Sequence, residues 1–566
     1  MIFNLNRSIQ NLVIPMLCIF FAGSISIQAK DNKTIKTIFP AKDTLKLETG
    51  NIETIAIEVG EYWWGGFISD GHMFPFENGY KANLYNDNKW NQAQPLLLSN
   101  HGRYIWSEQP FAFENNGKEL ILSNSHGFIL KGTSGATLKD AYRFVSKNFF
   151  PTSGKMPDSL LFTKPQWNTW IELTYNQNQD AILNYAQAIV DNGFSPGVLM
   201  IDDTWQENYG MWNFHPGRFP NPKMMMDKLH QLGFKVMLWV CPFISADTPP
   251  YRDLRTKRAL LLAGSNLANK SWSKTKTEPA LIQWWNGASA VLDFTNPEAV
   301  KWFNKQLSNL VENYGVDGFK FDAGDSPYYP EESISFQNVL PNKQTELYGQ
   351  FGLIYPLNEY RAMWKMGGQP LAERLFDKGH NWEDLGKLLP QIISQGLMGY
   401  AFTCPDMIGG GLYTSFLNLS AIDQELVVRS AQCHVFMPMM QFSAAPWRIL
   451  DDTHLNAVKK AVKIREQMTP VIMQLVKESA KTGEPIVRNL EYVFPGQGFE
   501  KVKDQFMLGD QIMIAPMLNK GIYKREVLFP KGKWKGDDGQ IVKGPVKLIL
   551  DVPLDRIPYF TLINEL

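Results

Sequence analysis

Between roughly residue 164 and residue 440, apolar strand-like runs alternate with amphipathic helical stretches, and this alternation restricts the possible folds more than any other feature of the chain. Residues 197–203 read as a strand and its tip, 223–232 as a helix and 235–241 as a second strand. Residues 297–314 read as a helix that feeds a strand at 318–322. Residues 385–396 are helical before a strand at 399–404, and 423–432 are helical before an apolar run at 435–440. Repeated βα units of this kind build a parallel sheet, open or closed. No Gly-rich phosphate loop follows the strands, which argues against a nucleotide-binding open sheet. The length suits an α/β fold closed into a (β/α)8 TIM barrel, assigned to residues 161–480.

On either side the pattern changes. Residues 30–160 carry short alternating runs separated by Gly and Asn turns, such as 52–59 and 119–123, which predicts an N-terminal β-sandwich. Residues 481–566 return to short strands, at 505–516, 525–530 and 546–552, which predicts a C-terminal β-sandwich domain. Residues 1–29 read as a signal peptide: Arg7 precedes an apolar run at 12–22, and small and polar residues end at Ala29. That run is short for a membrane span, so the expectation is an exported chain, periplasmic or extracellular, with no span in its mature part. Leu17 in front of Cys18 argues against a lipid anchor there. Cys241, Cys404 and Cys433 have no regular spacing, so neither a disulfide framework nor a zinc site is expected. Basic and acidic residues balance at 56 each, without a basic patch that would suit nucleic acid.

Several of the strand candidates end in carboxylates. Residues 197–203 end in Asp202 and Asp203, 318–322 in Asp322 with Asp325 just beyond, the run before Lys378 in Asp377, and 399–404 leads to Asp406. A single Asp after a strand is as readily a helix N-cap. An array of them at the C-terminal ends of barrel strands converges on one mouth, where barrel enzymes keep their sites. Clustered carboxylates without His or Cys partners serve either hard metal ions or glycoside hydrolysis. No calcium-loop spacing occurs, and Trp205, Trp239, Trp284 and Trp285 lie near the candidate loops, so the sugar reading is preferred and no metal or other cofactor is expected.

The motifs in order along the chain resemble those of glycoside hydrolase family 31. Gly315-Val-Asp-Gly-Phe-Lys-Phe-Asp-Ala-Gly-Asp325 is similar to the family's nucleophile motif, Trp285-Asn-Gly to its Trp-Pro-Gly, and Pro405-Asp-Met-Ile-Gly-Gly410 to its Asp-Ile-Gly-Gly signature. The resemblance implies a retaining α-glycosidase with Asp322 as nucleophile and Asp377 as acid/base. It also implies Asp202 and Arg361 as sugar-binding residues. Asp203, Trp239, Trp285, Lys320, Asp325 and Asp406 complete the expected substrate site, with Asp406 as readily a supporting residue.

The departures bear on which sugar is bound. The family's α-glucosidases usually carry Trp two residues before the nucleophile; here the residue is Lys320, and the form Lys-Phe-Asp-Ala-Gly looks like the family's α-galactosidase-like branch (myogenesis-regulating glycosidase type). Positions two apart on a strand face one side, so Lys320 and Asp322 are expected to point together into the mouth, where an ammonium can donate to sugar hydroxyls and favour the anionic carboxylate. The expected function is exo-acting release of terminal α-galactose from oligosaccharides or glycans by double displacement. An α-glucoside, α-xyloside or sulfonated sugar is the alternative within the family, and a non-catalytic carbohydrate-binding protein the alternative outside it. His380 and His434 are expected to be packed or surface residues.

Overall fold

The computed structural model describes residues 51–264 and 277–564, so the expected signal segment and Cys18 lie outside the described residues. The described residues fall within one compact unit. At its centre are eight parallel strands: β1 (Gln166–Asn168), β2 (Val198–Ile201), β3 (Lys235–Val240), β4 (Gly318–Phe321), β5 (Asn358–Tyr360), β6 (Glu373–Arg374), β7 (Thr403–Cys404) and β8 (Gln441–Phe442). Their order around the sheet is β7-β6-β5-β4-β3-β2-β1-β8. A parallel bridge from Met407 to Gln441, with Ile408 N–H donating to the Gln441 carbonyl at 2.8 Å, joins the two ends and closes the barrel.

Local chemistry explains how each strand is delivered. The helix Pro297–Tyr314 starts where the Asn296 side chain accepts from Glu298 N–H and Pro297 supplies a preset φ. It buries Ala299, Phe303, Leu307 and Leu310 on one stripe and stops at Gly315, whose φ of +79° suits a left-handed cap. Three residues later the chain enters β4. Gly318 is needed there, because a Cβ would lie 2.0 Å from the Leu357 carbonyl of the adjoining chain. Register pairs Trp239 with Lys320 and Lys320 with Glu359, so these three side chains occupy one row on one face of the sheet.

The run at 435–440 is not itself a strand, and β8 begins only at Gln441. The Arg465 guanidinium, from the helix Asp452–Thr482, donates to the carbonyls of Val435, Met437 and Pro438. Those acceptors are therefore not available to a sheet ladder.

N-terminal to the barrel lie two mostly antiparallel sheets. One joins Asn51–Ala56, Glu119–Asn124, Ala112–Asn115 and Lys81–Asn83. The other contains Trp63–Phe67, Gln92–Ser99, Arg103–Ser107 and Ile129–Thr133, and takes in Met363–Trp364 from the β5–β6 connection as a parallel edge. A helix, Leu138–Asn148, also occurs in this region read as strands; Thr137 and Asp140 form a capping box at its start. After Gly483, at φ +78°, the C-terminal region forms a six-stranded antiparallel sheet. The long strand Lys524–Gly536 pairs on one side with Ile541–Asp551 and on the other with Tyr559–Asn564, which keeps the ladder continuous. Among the described residues no helix is long and apolar enough to cross a membrane, and Cys241, Cys404 and Cys433 are buried free thiols.

Candidate active site

A cavity of about 230 Å³ opens at the C-terminal ends of the strands, lined among others by Asp202, Asp203, Trp239, Trp285, Lys320, Asp322, Arg361, Arg374 and Asp377. Three hydrogen bonds anchor the Asp322 carboxylate. Its Oδ1 accepts from Arg361 Nε at 3.0 Å and from Ala323 N–H at 2.8 Å, and its Oδ2 accepts from Trp239 Nε1 at 3.0 Å. Lys320 Nζ stands 4.0 Å from Oδ2. Burial alone would raise the Asp322 pKa, but Arg361, Lys320 and Arg374 overcome it and hold the carboxyl well below the usual carboxylate range. The backbone turns sharply at this point. Ala323 has φ +55°, which a non-glycine residue adopts at some cost, and the turn aims its N–H back at the carboxylate.

Lys320 is placed by its neighbour on β2. Its Nζ donates to Asp202 Oδ2 at 2.7 Å, and both groups are buried at the cavity floor. Burial would strip the proton from Lys320, yet Asp202, with Asp322 and Glu359, raises its pKa above the ordinary value. The next carboxylate, Asp203, accepts from Asn286 Nδ2 at 2.7 Å, Thr204 N–H at 2.6 Å and Tyr209 Oη at 3.1 Å. Burial and the adjoining Asp202 push its pKa up to about 7.

Asp325 and Asp406 stand behind the wall and do not line the cavity. Asp325 grips the Arg361 guanidinium through Nη1 at 3.1 Å and Nη2 at 2.5 Å, and accepts from Asn88 Nδ2 at 3.1 Å. It thereby aims Nε of Arg361 at Asp322. Asp406 accepts from the N–H groups of Lys378 at 2.7 Å and Gly411 at 3.0 Å. At Gly411 a Cβ would lie within 2.9 Å of both Asp406 and Asp377 oxygens, so a larger residue would have to displace these carboxylates.

The largest omission from the sequence reading is Arg374. It is wholly buried, and its Nη1 donates to Asp377 Oδ1 at 2.6 Å, to Asp406 Oδ1 at 2.8 Å and to the Leu375 carbonyl at 3.0 Å. Its Nε lies 3.5 Å from Glu359 Oε1. Burial, opposed by Arg374, and the charge of Asp377 place Asp406 at about 6. The N-terminal sheet was also missed as a contributor. Gln92 Nε2 donates to the carbonyls of Arg361 at 2.6 Å and Arg374 at 2.9 Å, and the Trp90 carbonyl accepts from Arg361 Nη1 at 2.5 Å. The only sequence sign of this brace is the polar cluster Asn88-Lys-Trp-Asn-Gln92 just ahead of an apolar strand.

Replacing Arg374 by Leu is expected to cost about 3–5 kcal/mol of folding stability, because it strands buried carboxylates without their counter-charge. Urea unfolding followed by Trp fluorescence measures it. Adding Asp406→Asn to Arg374→Leu should recover part of the loss, and a loss below about 1 kcal/mol in the single variant would contradict the assigned role.

The tryptophans divide by depth. Trp239 is buried but faces the cavity, and Trp285 is at the rim. Trp205 and Trp284 are core residues, with indole N–H groups donating to the Trp239 carbonyl at 2.8 Å and Ser289 Oγ at 3.0 Å. His434 is buried between the carbonyls of Ser430 and Asp406, and His380 Nε2 accepts from Asp423 N–H at 2.9 Å. Among the described residues no group of three or more His, Cys, Asp or Glu is arranged to hold a metal ion. Within the cavity Asp202, Asp322 and Asp377 pair with Lys320, Arg361 and Arg374 respectively.

A family model described as "Glycosyl hydrolases family 31 TIM-barrel domain" matches residues 162–376 and 375–475, and one described as "Glycosyl hydrolase family 31 C-terminal domain" matches 483–563. The chain is 33% identical over 442 residues to the myogenesis-regulating glycosidase of Mus musculus, covering 75% of this chain and 60% of that protein. It is 24% identical over 515 residues to alpha-glucosidase 2 of Bacillus thermoamyloliquefaciens, covering 83% and 61% respectively. It therefore spans about three-fifths of the length of these two relatives. In fold it is similar to the GH31 dextranase of Flavobacterium johnsoniae complexed with glucose, with a TM-score of 0.78 and 18% identity over 90% of this chain and 66% of that one.

Proposed function

Because the chain belongs to glycosyl hydrolase family 31, we propose that it is an exo-acting, retaining α-glycoside hydrolase that releases terminal α-galactose from oligosaccharides or glycans. One observation carries the reading: Asp322, anchored as an anion, and Asp377, tied to Arg374, line the same cavity.

In the first step an Asp322 oxygen bonds to the anomeric carbon while the bond from that carbon to the leaving oxygen breaks, and Asp377 transfers its proton to that oxygen. In the second, Asp377 takes a proton from water as the water oxygen bonds to the anomeric carbon, and the bond to Asp322 breaks. Two inversions leave the configuration retained. Asp202 and Lys320 at the floor, with Arg361 beside Asp322, would bind hydroxyls of the first sugar.

Lys320 supports galactose over glucose. It brings a hydrogen-bond donor to the floor where the family's α-glucosidases usually carry Trp, and among the described residues one of its three N–H donors is committed, to Asp202. An α-glucoside reading has its own support in the relative named alpha-glucosidase. The purified protein should hydrolyse 4-nitrophenyl α-galactoside with a kcat/KM at least about tenfold above that for the α-glucoside, and release α-galactose first by proton NMR. The reverse preference transfers the assignment to α-glucosides. Sugar binding without turnover on either substrate would replace it by a binding function.

A further inference from the structure

Two carboxylates of the site share one cation but are held differently. Arg374 Nη1 donates to Oδ1 of both Asp377 and Asp406. Asp406 has both of its oxygens occupied: Arg374 takes Oδ1, the N–H groups of Lys378 and Gly411 take Oδ2, and the side chain is 1% exposed. The Asp377 side chain is 30% exposed and lines the cavity, and its bond to Arg374 is made through Oδ1.

Asp377 Oδ1 is enclosed from a second direction. The Gly411 main chain packs so close that a Cβ there would lie 2.9 Å from Asp377 Oδ1 and 2.8 Å from Asp406 Oδ1. A guanidinium offers only donors, so the oxygen in front of it must accept. A hydroxyl hydrogen on that oxygen would compete with an N–H for the same space. The carbonyl role suits Oδ1, and the acidic hydrogen then belongs on Oδ2.

An acid/base must also keep its aim while its charge changes. Asp377 goes from neutral to anionic in the first step and back in the second. A buried cation paired with Asp377 alone would lose its counter-charge whenever Asp377 is neutral. Arg374 keeps anionic neighbours throughout, with Nη1 at 2.8 Å from Asp406 Oδ1 and Nε at 3.5 Å from Glu359 Oε1.

We infer that Arg374 is the positioning residue of the acid/base: it holds Asp377 Oδ1 through both steps, Oδ2 gives and takes the proton, and Asp406 keeps Arg374 in place while Asp377 is neutral. The inference rests on the retaining glycosidase reading and adds which oxygen acts and what aims it. In the first step the Oδ2–H bond breaks as the hydrogen passes to the leaving oxygen. In the second a water O–H bond breaks and the Oδ2–H bond forms again. Arg374 keeps all its protons.

Arg374→Lys separates aim from charge, because it retains a buried cation but ends about one atom short of Nη1. The substrates are methyl and dinitrophenyl glycosides of whichever α-sugar the paired aryl substrates select. On the methyl glycoside kcat/KM should fall at least about tenfold, and on the dinitrophenyl glycoside, whose first step needs no proton, less than about threefold. On the dinitrophenyl glycoside kcat and KM should fall together, because its second step still needs Oδ2 to take a proton from water. A merely structural role would lower kcat/KM on both substrates alike. Gly411→Ala strands no charge and presses on Asp377 Oδ1 from the other side, and it should give the same pattern.

Equal losses on the two glycosides, or no loss on either, overturn the inference. Gly411→Ala decides by the same comparison if Arg374→Lys does not fold. A leaving-group gap in Asp377→Ala that is missing from these variants removes the inference and leaves the glycosidase reading intact. No such gap in Asp377→Ala, or no turnover of either aryl substrate by the wild type, removes the acid assignment beneath it.

Discussion

Asp322→Ala is expected to lower kcat on an activated aryl α-galactoside by about 10⁴-fold or more, the scale on which nucleophile deletions act. The reason is local. The attacking oxygen has no substitute, because Asp202 is paired with Lys320 and Asp325 is committed to Arg361 behind the wall. Folding should survive, since Arg361 retains its two contacts to Asp325 and its bond to the Trp90 carbonyl. A melting temperature near wild type would confirm that the lost activity is chemical. Added azide, small enough to enter the space of the missing carboxylate, should restore part of the turnover and give the β-glycosyl azide, because it attacks from the face Asp322 occupied. Near-normal turnover without azide would remove Asp322 from the mechanism.

The second large effect concerns Asp377. In Asp377→Ala, a dinitrophenyl glycoside, whose leaving group departs without a proton, should lose far less kcat/KM than a methyl glycoside. The gap is expected to be about 10²–10³-fold, within the range general acid catalysis supplies. Equal losses on the two substrates would argue that Asp377 only binds. Arg374 makes the experiment informative in a second way. One guanidinium nitrogen, Nη1, donates to both Asp377 and Asp406, and truncation of Asp377 leaves it Asp406 and the Leu375 carbonyl. The variant therefore removes the acid without stranding a buried cation, and its phenotype can be read as chemistry.

How much of this was legible in the chain depends on what kind of signal each residue leaves. Asp202, Asp203 and Asp322 follow apolar runs long enough to be recognised as strands, so their place at the tips could be read directly. β6 is only Glu373–Arg374, too short for any periodic pattern. Asp377 was read as the end of the run before Lys378 and took its acid/base role from the family resemblance, and Arg374, three residues before it, was passed over as an ordinary charged residue. Asp325 and Asp406 carry the same kind of signal as Asp322. Whether a carboxylate faces the cavity or supports it from behind depends on the turn that follows the strand and on which arginine reaches it. Trp205 and Trp284 looked like sugar-stacking candidates because they lie near the right loops. Each is instead in the core, where its indole N–H has a buried partner.

The sequence by itself determined the periodicity of the central region, the carboxylate tips of its strands, and the order of motifs that marks the family. Periodicity and order are local and linear, and so survive without coordinates. Only the tertiary structure decided which charges meet. Lys320 faces Asp202, Arg361 bridges Asp322 and Asp325, Arg374 bridges Asp377 and Asp406, and Gln92 crosses from the N-terminal sheet to brace two barrel strands. Those pairings join residues between 3 and 282 positions apart. They follow from closure of the barrel, which brings strand ends from separate parts of the chain to one mouth, where burial makes each charge need its partner.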